Sequence, residues 1–172
     1  MNILKKWGFT HDTWRGQHGE YWVLGQAILL IGFIFLPVWR LASLSIDKYP
    51  ILLYTSWGLA AALGLVAAIL ILKGLLDLGG INLTPLPYPR NDGQLVKSGV
   101  YSFVRHPLYS GVILLALGWA VFQWSLSHLV ATTILLAFFN AKADREEVWL
   151  TQKYPDYPDY RNSVKKLMPW LY

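Results

Sequence analysis

Three long runs without a formal charge divide the chain: residues 21–39, 49–72 and 107–141, the last broken only by His128. A helix needs about 20 such residues to cross a hydrocarbon core of roughly 30 Å. The first run predicts a span over about Tyr21–Trp39, closed by Pro37 and Arg40, and the second a span over about Ile51–Leu76. The third, Pro107–Ala141, has 35 residues. As one helix it would measure roughly 52 Å, too long for a single crossing. It is predicted to fold back at "FQWSLSH" into a tight hairpin whose arms are each short for a full span. Beyond it the helix is expected to continue through "NAKADREEVWLTQKY" and to stop before Pro155.

The pattern therefore predicts an all-α integral membrane protein with about four transmembrane helices. The first apolar block starts too late and runs too long for a cleaved signal. Residues 1–20 mix Lys, His and aromatics, so they read as an interfacial segment with Trp7 and Trp14 at headgroup level. We expect one membrane domain over 1–172, with two N-terminal spans in 21–76 and the chemistry in 77–172. Ala60, Gly64 and Ala68 recur every four residues, a small-residue stripe that serves either internal packing or a dimer. The sequence leaves the oligomeric state open.

Between the second and third runs lies a polar connection from Asp77 to His106 containing "NLTPLPYPRNDGQLVKSG". Pro85, Pro87 and Pro89 favour an extended path, and a connection this long is often functional. Charge then supplies an orientation. With four spans, Lys5, Lys6, Arg15, Lys73, Arg90, Lys97, Arg105, Lys142, Arg145, Lys153, Arg161, Lys165 and Lys166 fall on one side, against Arg40 and Lys48 on the other. The positive-inside rule places the thirteen, and with them both termini and the long loop, in the cytoplasm.

Several chemistries are disfavoured. With no cysteine there is no disulfide, thiolate metal site or thiol nucleophile, and "LMPWLY" carries no prenylation box. No Rossmann glycine pattern, Walker A or H-E-x-x-H is present. His11 and His18 stand seven apart without acidic company, so no metal site is expected. No alternating basic and aromatic surface argues for nucleic acid.

Two clusters remain. Arg105-His106-Pro107 has an ordinary reading, with Pro at the first helical position, Arg105 reaching headgroups, and Tyr101 and Tyr109 in an aromatic belt. It has a chemical one as well, because a helix N-terminus flanked by Arg105 and His106 suits a carboxylate or phosphate. Lys142 and Glu146, four apart on one helical face, are either a solvated pair contributing about 0.2–0.5 kcal/mol or a carboxylate opposite that anion clamp. Together they suit an amino-acid-like ligand.

At these residues the chain resembles the isoprenylcysteine carboxyl methyltransferase and phospholipid methyltransferase family of membrane enzymes. The resemblance rests on "GQLVKSGVYSFVRHPLYSG", then a hairpin, then "REEVWLTQKYPDYPDYRNSVKKLMPW", and covers about half the chain from near Leu78. It implies methyl transfer from S-adenosyl-L-methionine to a lipophilic or lipid-anchored acceptor, in a cytoplasmic pocket built without a Rossmann fold. Carried over by position, Gln94, Leu95 and Val96 would line the adenosine site. Tyr101, His106, Pro107, Leu108 and Tyr109 would surround the cofactor, and Glu146 would take its ammonium. Lys142 would contact substrate where family members carry Arg; lysine keeps the charge without the planar bidentate grip. A carboxylate acceptor needs no base, whereas an amine would, with Glu147 or a tyrosine nearest. The rival readings are a sterol-reductase-type enzyme using NADPH and a non-enzymatic membrane scaffold.

Overall fold

The computed structural model describes residues 18–40, 49–84 and 86–168. Among them the helices are α1 over Glu20–Phe35, α2 over Pro50–Asn82, α3 over Pro107–Gln123, α4 over Leu126–Lys153 and a short α5 over Tyr157–Ser163, and no strand is formed. The interfacial segment expected over 1–20 falls almost wholly outside these residues. Two helices, α2 with 33 residues and α4 with 28, are long and apolar enough to cross a membrane by length and composition. The others, α1 with 16 residues and α3 with 17, are apolar but only about 24 and 26 Å long. Large apolar side chains on all four, including Phe35, Ile51, Leu76 and Leu115, face outward.

The hairpin break falls where the sequence placed it. Trp124 turns the chain in the left-handed region at φ 51° and donates its N–H to Ala120 and Val121 carbonyls. Ser125 then caps α4 by accepting from the His128 amide. The Trp124 indole is tied back to α2 through a 2.8 Å bond to Ser56 Oγ. α4 runs on to Lys153, just short of Pro155, so its last turns project beyond the uncharged segment.

α2 lies along α3 through small residues on both sides. A Cβ on Gly111 would meet Ile71 and the Ala67 carbonyl; one on Gly118 would meet the Ala60 carbonyl and Leu63; and one on Gly74 would meet Leu108 and Pro107. The contact line is thus Ala60, Gly64, Ala67, Ile71 and Gly74. Its alternating steps of four and three keep it on one face, whereas a strict step of four drifts about 40° each time. Ala68, the third member of the expected stripe, accordingly faces outward. The stripe serves internal packing. α1 closes the core from the other side, with Leu29, Leu30 and Phe33 against Ile113, Ala116, Leu135 and Phe139.

Where α2 leaves the bundle it kinks at Gly79, at φ 70° and ψ 160°, a conformation open to glycine and strained for other residues. The chain beyond 163 returns to the start of α3. The amides of Arg105 and His106 donate to the carbonyls of Lys165 and Lys166 at 2.9 and 3.1 Å, and Ser110 Oγ donates to the Leu167 carbonyl at 2.6 Å. This docking fixes the loop-to-helix junction from below.

Candidate functional site

The long loop is held by its own short-range chemistry. The Val100 amide donates to Asp77 Oδ2 at 2.8 Å, and Gly99, at φ 62°, sits where any Cβ would collide with that carboxylate. Further back, the Gln94 amide donates to Asn82 Oδ1 at 2.7 Å. These bonds fold the loop over the ends of α3 and α4 and enclose a cavity of about 300 Å³, at the lower end of the range for small-molecule sites.

Eleven of the residues singled out from the sequence line this cavity: Gln94, Leu95, Val96, Tyr101, Arg105, His106, Pro107, Leu108, Tyr109, Lys142 and Glu146. Gln94–Val96 belong to the loop, Arg105–Tyr109 to the junction, and Lys142 and Glu146 to one face of α4. The Tyr109 phenol donates to Glu146 Oε2 at 2.7 Å. Its ring stacks on His106 at 5.4 Å, nearly parallel, and on Phe139 at 5.0 Å. The Lys142 ammonium lies 5.0 Å from the centre of the same ring and donates to Gln26 Oε1 of α1. Lys142 is 3% exposed, a buried cation on a cavity wall.

Glu147, one residue further, turns about 100° away from Glu146 and is not part of the lining. Its Oε1 receives Arg105 Nε at 2.9 Å and Nη2 at 2.8 Å and stands 3.0 Å from His106 Nε2. Its Oε2 is 3.1 Å from Arg161 Nε. The Arg105 guanidinium also donates to the carbonyls of Arg161 and Val164. The side chain expected to clamp an anion is therefore engaged within the protein, and so is the carboxylate considered as a base.

The tyrosines are placed as donors. Burial pushes the phenols of Tyr101 and Tyr160 well above their ordinary range. Tyr101 donates to the Gly74 carbonyl and Tyr160 to the Tyr101 carbonyl. Sequence reasoning missed Gln26, Val23, Tyr88, Leu150 and Tyr157, which also line the cavity. Gln26 had a signal, as the one amide side chain in the first apolar run. No cluster of metal-ligating side chains occurs among the described residues.

Comparison with known proteins places this geometry. The model of the phospholipid methyltransferase family matches residues 55–157, more than half of the chain. The protein-S-isoprenylcysteine O-methyltransferase of Schizosaccharomyces pombe is 35% identical over 82 residues, 46% of this chain and 35% of that protein. A steroid 5-alpha-reductase of Solanum lycopersicum is 30% identical over 79 residues, 46% of this chain and 30% of that protein. The chain spans less than half the length of the curated relatives it matches. The solved structure of a eukaryotic intramembrane Ras methyltransferase, isoprenylcysteine carboxyl methyltransferase, superposes on 98% of this chain and 59% of its own, with a TM-score of 0.63 and 20% sequence identity. The integral membrane fold is the same.

Proposed function

The chain belongs to the phospholipid methyltransferase family, and from that premise we propose that it transfers a methyl group from S-adenosyl-L-methionine to the carboxylate of a lipophilic, isoprenylcysteine-type acceptor. The observation that carries this reading is the Lys142–Tyr109–Glu146 cluster on the wall of a cavity whose lining, apart from Val23, Gln26 and Tyr160, falls within the family match.

The residues fit such a cofactor. Glu146 presents a carboxylate for an ammonium, Tyr109 orients it, and the loop Gln94–Val96 supplies an edge for the adenosine. When bound, the cofactor supplies a sulfonium methyl whose transfer leaves a neutral thioether. The protein's part is then alignment and exclusion of water, together contributing up to about 7–11 kcal/mol in favourable systems. Lys142 favours an anionic acceptor, since a buried ammonium attracts a carboxylate and repels a protonated amine. An amine acceptor would also need a base, and Glu147 is engaged with Arg105, His106 and Arg161. Positive charge along the loop and α4 supports a cytoplasmic-facing cavity, reached from the membrane by an acceptor whose lipid portion stays among the helices.

The match to steroid reductases favours one second reading, an NADPH-dependent reduction in the same cavity. Calorimetric titration of the detergent-purified protein with S-adenosyl-L-methionine, and in parallel with NADPH, separates them. We expect saturable binding of the methyl donor that is lost in Glu146→Ala; saturable binding of NADPH alone would overturn the methyltransferase reading.

A further inference from the structure

One residue lining the cavity carries a buried hydroxyl without a partner. Tyr157 opens α5, is 1% exposed and lines the cavity, and its Oη has no hydrogen-bond partner among the described residues. Its neighbours Tyr160 and Tyr101 each reach a backbone carbonyl, so among these three tyrosines only Tyr157 lacks a partner. A buried hydroxyl left unpaired is destabilising, and phenylalanine would fill the same space without that cost. The ring is held edge-on against Tyr160 at 5.8 Å. Burial, reinforced by the nearby Glu147 carboxylate, pushes the phenol well above its ordinary range, so the group is a standing donor. Glu147 holds Arg105 and His106 on Oε1, while its Oε2 is ion-paired with Arg161 and accepts no hydrogen bond among the described residues.

We propose that Tyr157 is a ligand-binding residue whose Oη–H donates to the carboxylate of an α-amino-acid group held with its ammonium on Glu146. The proposal rests on the S-adenosyl-L-methionine reading and deepens it. Tyr157 lines the same cavity as Glu146 and Arg105. A carboxylate there would face Glu146 across the ammonium they share and would receive from Tyr157 the donor that Arg105, bound to Glu147, does not supply.

The test compares wild type and Tyr157→Phe by calorimetric titration with S-adenosyl-L-methionine and with 5′-methylthioadenosine, which keeps the nucleoside and lacks the amino-acid group. Melting temperatures of both ligand-free proteins are measured alongside. We expect Tyr157→Phe to bind the full cofactor about tenfold more weakly, to bind methylthioadenosine as wild type does, and to melt no lower than wild type. Unchanged affinity for the full cofactor would overturn the proposal, as would equal weakening toward both compounds, which assigns the hydroxyl to the nucleoside. A clearly lower melting temperature would assign it to the fold and overturn the proposal too. A wild type that binds no S-adenosyl-L-methionine would remove the reading beneath it, a result distinct from all of these.

Discussion

Glu146 and Glu147 are adjacent on α4 and both approach His106, at 3.8 and 3.0 Å, but differ in what else holds them. Glu147 is in a network internal to the protein, bound by Arg105 and His106 at Oε1 and ion-paired with Arg161 at Oε2, and it ties together the loop junction, α4 and the returning C-terminal segment. Glu146 is in an open one, held by Tyr109 and facing a cavity. The comparison teaches that a charged motif divides its labour by helical phase. The face turned into the protein builds the wall, and the face turned to the cavity keeps hydrogen-bonding capacity for a guest.

The sharpest way to break the contrast is Glu147→Ala. It leaves Arg105 buried without its counter-charge and His106 Nε2 without its partner, and loss of one member of a buried ion pair typically costs about 3–5 kcal/mol. Thermal unfolding in detergent should show a large drop for Glu147→Ala, whereas Glu146→Ala should melt near wild type. Equal losses would erase the distinction between wall and site.

Next in size is Lys142→Met. Its stem volume is kept and a buried charge is removed, so the ligand-free protein should melt no lower than wild type. The KM for an N-acetyl-S-prenylcysteine acceptor should rise about tenfold with a smaller change in kcat, as expected for loss of one charge-assisted contact. An unchanged KM would release Lys142 from the substrate and reopen the amine acceptor.

Much of this arrangement was legible in the sequence, and the residues show why. Charge-free runs located the four main helices and the turn near Trp124, because a membrane leaves few other conformations for such segments. Local spacing placed Lys142 and Glu146 on one face. It could not show that Arg105 is bound by Glu147, Arg161 and Val164, since those contacts join residues more than 40 positions apart. The same holds for the contact line of α2: a repeat of four is visible in the letters, whereas the helical drift that carries Ala68 outward appears only against a partner helix. Tyr157 was part of a recognisable Y-x-x-Y pair, but which of the two hydroxyls lacks a partner is a property of the folded loop.

The smallest expected effect concerns Gln26, which lies outside the segment matched by the family model and yet accepts from Lys142 across the cavity. A cation on a four-carbon stem has many rotamers, and one neutral acceptor on α1 selects among them without neutralising the charge. Gln26→Leu keeps the bulk of the side chain and removes that acceptor. Lys142 would still face the cavity through its contact with Tyr109, so the acceptor KM should rise only a few-fold and cofactor affinity should hold. In a Gln26→Leu, Lys142→Met double variant the first substitution should add nothing to the second, because its effect passes through the ammonium. Additive losses would instead mean that Gln26 touches the acceptor directly, and α1 would then belong to the binding wall in its own right.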